Sequence, residues 1–180
     1  YGPSWANASN TPFREYKHFV HEGGIASPLI VHWPNSIKGK GDFRDEPSHL
    51  IDIMATCIEV SGASYPEKFN GNQIIPLEGL SLIPVFENKS LKREALYWEH
   101  DGNRAVRMGK WKLVSKAVKN NWSAWDKLDI LETDQWELFD MEKDRTELNN
   151  LSKEYPEQVK KMSLMWESWA KKTGALPRPN

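Results

Sequence analysis

The sequence predicts a mixed α/β chain whose second part is a small antiparallel sheet packed by a C-terminal helix, and three patterns carry that prediction. Leu29, Ile30 and Val31 run consecutively inside Ser27–Trp33, as in a strand covered on both faces. Further along, short strand-like pieces are separated by Asp101-Gly102 and Gly109-Lys110, two sequential turns that make a meander. Near the end, Val159, Met162, Trp166 and Trp169 form one helical stripe that should lie against that meander. Pro66, Pro76 and Pro84 mark a connector between the parts, so residues 1–86 and 87–180 are the expected domains.

Taken in order, residues 1–11 are small and polar with Gly2-Pro3 and read as an irregular surface segment. Pro12–Val20 reads as a short turn or helix presenting Arg14, Lys17 and His18. Gly23-Gly24 permits a tight turn or a close backbone approach ahead of the apolar run. A helix is predicted from Pro47, capped by Asp45 or Glu46 and closed by Gly62, with Leu50, Met54, Cys57 and Ile58 on its buried face and Asp52 solvated. Ala95–Glu99, Asn103–Met108, Trp111–Lys116 and Trp136–Phe139 are the expected strands, with Arg107, Lys110 and Lys112 facing outward. Ala117–Gln135 reads as a long loop carrying Trp122 and Trp125, and its length suggests a covering or functional role. The last helix is expected from Pro156 to Lys172, stopped by Gly174. Its core partners should be Val106, Trp111, Leu113 and Phe139.

A net charge of −1 over 180 residues argues against general nucleic-acid binding. Nine tryptophans suit a packed core, or an amphipathic or carbohydrate-like ligand surface. The single cysteine, Cys57, excludes an intramolecular disulfide; its apolar neighbours Ile53, Met54 and Ile58 predict a buried, inert thiol. No apolar run approaches the ~20 residues that span a bilayer. Chemistry concentrates in Lys17-His18 and His21-Glu22, where His21 can line a pocket or pair with Glu22. It concentrates again at the Asp101-Gly102 hairpin, where His100 and Arg104 can reach a substrate across a cleft.

Lys17 with Glu22-Gly23-Gly24, then Pro28-Leu29-Ile30 and Trp33-Pro34, resembles a type I sulfatase (arylsulfatase) of the alkaline-phosphatase-like superfamily. Leu50–Thr56, Glu78-Gly79-Leu80-Ser81-Leu82, Arg104–Arg107, Gly109–Leu113, Glu137–Asp140 and Glu147–Leu151 follow the order of that family's C-terminal part. The resemblance implies the end of an alkaline-phosphatase-like α/β sandwich followed by the antiparallel subdomain. It implies a sulfuric-ester hydrolase acting on a sulfated small molecule or glycan, exported to a periplasmic, secreted or lysosomal compartment. By the resemblance Lys17 is then the active-site lysine; His21, His100 and Arg104 are the substrate contacts expected from the pocket and hairpin readings above, with a structural histidine pair and a solvated turn as the alternatives. A divalent cation, calcium by resemblance, and a formylglycine nucleophile are implied for the complete enzyme. Cys57 lacks the C-x-P-x-R context, and the family's acidic metal ligands match no residue here, so no metal ligand is expected in this chain. The chain is therefore expected to be a C-terminal portion that is inactive without its N-terminal part. The alternatives are a sister phosphodiesterase or phosphonate hydrolase, or a non-catalytic module binding glycan or protein.

Overall fold

A computed structural model describes residues 2–39, 41–116 and 135–176. Leu29–Arg93 form one compact unit, and the chain before Leu29 and after Arg93 forms another. The long loop expected at 117–135 lies outside the described residues, apart from Gln135.

The second of these units is built on a four-stranded antiparallel meander of β3 (Leu96–His100), β4 (Asn103–Met108), β5 (Trp111–Ser115) and β6 (Trp136–Asp140), in that spatial order. Asp101 and Gly102 both take positive φ, 50° and 84°, which lets two residues reverse the chain with the twist of the strands. Register places Val106, Leu113 and Leu138 side by side on one face. The helix α5 (Pro156–Thr173) covers that face with Met162, Trp166 and Ala170, all buried, while Val159, Trp111 and Trp169 flank them. Trp166 satisfies its indole N–H on Trp98 O at 2.9 Å. Gly174, at φ 77°, ends the helix in a left-handed cap.

Phe139 departs from the expected core. Period-two alternation sends Leu138 and Phe139 to opposite faces, so Phe139 joins Val20, Ala105, Val114 and Met141 in a second cluster. Ile25 and Trp98 pack against that cluster, so the N-terminal residues cover the face that α5 leaves. This arrangement differs from the expected division at 86/87, because residues up to Pro28 share the unit of the sheet. The N-terminal segment itself holds α1 (Pro3–Ser9), where an irregular stretch was expected; Pro3 sits in the first turn, the position that its fixed φ favours. One further turn of helix, α2, spans Glu22–Ile25.

Lys112 also departs from the expectation of outward charges. It is fully buried on the Phe139 face, with Nζ 2.8 Å from Glu22 Oε1 and 2.8 Å from Glu147 Oε1. Arg145 reaches Glu22 Oε2 at 3.1 Å, and the Glu22 backbone N–H donates to Glu147 Oε2 at 2.8 Å. Glu22 thus pairs with Lys112 and Arg145 rather than with His21. Burial pushes its carboxyl up, but Lys112 and Arg145 outweigh burial and hold it below its ordinary value.

In the unit Leu29–Arg93, α3 runs Ile51–Ser61 and a two-residue ladder pairs β1 (Lys68–Phe69) with β2 (Asn72–Gln73). A single turn, α4 (Ile83–Phe86), follows them. The face of α3 expected to be solvated is the packed one. Asp52 is fully buried, accepting the N–H groups of His49 (2.7 Å) and Leu80 (2.9 Å) and pairing with Arg93 at 2.6 Å. These bonds start the helix four residues later than the proline suggests, and Glu46 instead accepts the Leu91 N–H. Leu50 and Met54 are exposed, and so is Cys57, against the expected buried thiol. Ser27–Trp33 forms no strand, and Ile30 is 91% exposed. A strand covered on both faces requires partners for its backbone ladder, and among the described residues none lies beside this run.

Candidate functional site

Tyr16–Phe19 is a tight turn closed by Phe19 N–H donating to Tyr16 O at 3.0 Å. Lys17 and His18 occupy its two central positions, and His18 takes φ 88°, the positive value a type II turn demands third. The Lys17 side chain is exposed, and among the described residues no carboxylate pairs with it. Its neighbours Arg14, Lys112 and Lys116 are all held by acids.

The hairpin tip docks against this turn. The His18 and His100 rings stack 5.5 Å apart at 13°. His18 Nδ1 and His100 Nε2 each lie 3.4 Å from Asp101 Oδ2. Asn103 closes the arrangement, its Nδ2 donating to His18 O (2.9 Å) and to His100 O (3.0 Å). A histidine and an aspartate at positive φ in one cluster mark backbone held by its surroundings.

His21 and Arg104, both expected to contact substrate, are placed elsewhere. His21 is fully buried, with Nε2 3.2 Å from Glu137 Oε2. Arg14 reaches the same carboxylate at 3.3 Å and the Glu147 carbonyl at 3.1 Å. The His21 hydrogen bond, opposed by burial and aided by Arg14, holds Glu137 below its ordinary pKa. Arg104 lies one row along the sheet from His100 and therefore on the opposite face. Its guanidinium sits 4.4 Å over Trp136 and 5.1 Å over Trp166 and donates to Ser115 Oγ at 3.0 Å.

The glycine pair behaves as the backbone approach requires. A Cβ on Gly23 would collide with the carbonyls of Arg14 and Glu15, and one on Gly24 with that of Phe19. The pair seats α2 beneath the Lys17 turn, and the close approach is to the chain itself. Asn103 gave no sign of its role in the sequence. Only the hairpin register and the docked turn put its amide between two carbonyls.

The cofactors implied by resemblance find no matching donors among the described residues. Calcium takes six to eight oxygen ligands. The buried acids Glu22, Glu147 and Asp52 are instead occupied by Lys112, Arg145 and Arg93. Cys57 is followed by Ile58 and Glu59 and so lacks the formylglycine motif. No helix among the described residues is long and apolar enough to cross a membrane.

A family model described as N-sulphoglucosamine sulphohydrolase, C-terminal, matches residues 14–172. A sulfatase of Schizosaccharomyces pombe is 30% identical over 187 residues, covering 100% of this chain and 31% of that protein. The N-acetylgalactosamine-6-O-sulfatase of Bacteroides thetaiotaomicron is 26% identical, covering 87% of this chain and 29% of that one. The crystal structure of Ps i-CgsB superposes with a TM-score of 0.68 at 26% identity, covering 89% of this chain and 32% of that one. The chain thus spans about a third of the length of the relatives it matches.

Proposed function

The chain belongs to the sulfatase family, as a C-terminal portion, and from that premise we propose that it supplies an active-site lysine, Lys17, to a sulfuric-ester hydrolase. The observation that carries this reading is an exposed ammonium on a hydrogen-bonded turn, with no carboxylate among the described residues to neutralise it, beside an imidazole-bearing hairpin. Sulfate-ester cleavage builds negative charge on the leaving oxygen and the sulfuryl oxygens, so a fixed cation favours the transition state over the ground state. An ammonium suits that task as a compact charge with three donors.

In the same reading His100 contacts the alcohol side of the substrate, because it is half exposed at the tip of β3. His21 and Arg104 act through others: His21 holds Glu137 beneath the Lys17 segment, and Arg104 packs the sheet against α5. The substrate is a sulfated small molecule or glycan, in keeping with a Bacteroides relative named as an N-acetylgalactosamine-6-O-sulfatase. The exposed apolar residues Leu29, Ile30, Leu50 and Met54 are covered in the complete enzyme by the rest of a longer sulfatase polypeptide, which brings the nucleophile and the metal ligands.

In that enzyme Lys17→Ala lowers turnover by roughly two to three powers of ten, the scale for losing one preorganised charge-stabilising group. Folding stays near wild type, because the side chain is exposed. Lys17→Arg recovers part of the loss, since a planar fork displaces the charge. Steady-state kinetics with unfolding midpoints measured alongside test this; wild-type turnover in Lys17→Ala removes the residue from the site.

A further inference from the structure

We propose that His18, His100 and Asp101 form a binding site for a divalent first-row transition ion of the zinc class. The three side chains each offer one ligand atom, and these atoms all lie within 4.8 Å of one another. Two of the three separations, from Asp101 Oδ2 to His18 Nδ1 and to His100 Nε2, are already 3.4 Å. That is the edge of a tetrahedron built on metal–ligand distances of about 2.0–2.1 Å, roughly 3.4 Å. To share an ion, the two imidazoles must turn out of their stacked arrangement so that each ring plane contains it.

The donor set chooses the ion. Two imidazole nitrogens and one carboxylate oxygen suit zinc, cobalt, nickel or copper, whereas calcium and magnesium require oxygen ligands in greater number. Three protein ligands leave a fourth position open, and His100 and its partners stand where water reaches them, as the 52% exposure of the His100 side chain shows.

The scaffold is built in advance. Asn103 ties the carbonyls of His18 and His100 with one amide, fixing the two segments that carry the nitrogens. His18 at φ 88° and Asp101 at φ 50° hold backbone that these residue types adopt only in special places. A stacked histidine pair sharing an aspartate without an ion is the rival state of the same geometry, and the test separates the two.

His100 is shared with the hydrolase reading, where it contacts substrate, but the Co2+ readout needs neither turnover nor Lys17, so failure of the ion site leaves the Lys17 reading untouched. Co2+ is titrated into the intact protein with calcium held in constant excess, and its visible ligand-field absorption is followed. One saturable equivalent with bands in the four- or five-coordinate range is expected, displaced by Zn2+. His100→Ala and His18→Ala should each weaken Co2+ at least tenfold, and Asn103→Ala about tenfold through misplaced ligands. His100 is exposed, so His100→Ala stays folded, and unfolding midpoints confirm this for the others. Absence of a saturable equivalent in the wild type overturns the site. So does unchanged Co2+ affinity in folded His100→Ala.

Discussion

Lys112 shows how one residue can invert a sequence reading. On a strand, a lysine between Trp111 and Leu113 is ordinarily a solvated charge, yet here it sits buried between two glutamates. Removing one partner of such a group leaves an uncompensated charge, so Lys112→Met should destabilise by about 3–5 kcal/mol. Glu22 adds a pH signature. Its folded pKa lies below the ordinary 4.5, so its contribution is present above the unfolded value and is lost as pH falls from about 4.5 through the lower folded value. Urea unfolding of wild type and Glu22→Gln between pH 7 and pH 3 should show a stability gap that narrows on the acid side. Parallel curves would mean that the Glu22 carboxylate is not what Lys112 and Arg145 stabilise.

At the scale of elements, α5 and α3 make opposite lessons. The α5 stripe reads correctly because the helix faces a sheet from its own unit, and Met162, Trp166 and Ala170 land in the core. Trp166 is 1% exposed and packs against Arg104 and Trp136, so Trp166→Ala should cost about 3–5 kcal/mol. A change below about 0.5 kcal/mol in denaturant unfolding would contradict the packing described. In α3 the polar face is the buried one: Asp52 accepts the His49 N–H and pairs with Arg93, while Leu50 and Met54 are exposed. Gly79 completes that contact, since a Cβ there would strike Ile51 O.

At the scale of the molecule, the 180-residue chain holds a charge-bearing turn but no C/S-x-P-x-R nucleophile motif. Its buried Asp52, Glu22 and Glu147 pair with Arg93 and Lys112 rather than gathering for a hard metal. By itself it is therefore expected to leave a chromogenic aryl sulfate intact. Turnover by the purified 180-residue chain, abolished by chelator, would overturn this expectation. The exposed Leu29–Val31 run agrees with a chain that spans about a third of its relatives' length.

The sequence by itself determined the meander, its Asp101-Gly102 turn and the closing helix, because period, turn chemistry and caps are local and agree with one another. It also carried the resemblance to the sulfatase family, in Lys17, Glu22-Gly23-Gly24 and the C-terminal motifs, which the family model over residues 14–172 bears out. Outside the α5 stripe and its sheet partners Val106 and Leu113, tertiary structure decided which way the polar and charged side chains face. It sent Arg104 to the α5 face and His100 to the other, buried His21 against Glu137, and turned Asp52 inward. Those choices depend on partners more than a hundred residues away in the case of His21 and Glu137, and no local pattern encodes a contact of that range. The same reason hid the cluster of His18, His100 and Asp101, which exists only because the hairpin tip and the Lys17 turn meet.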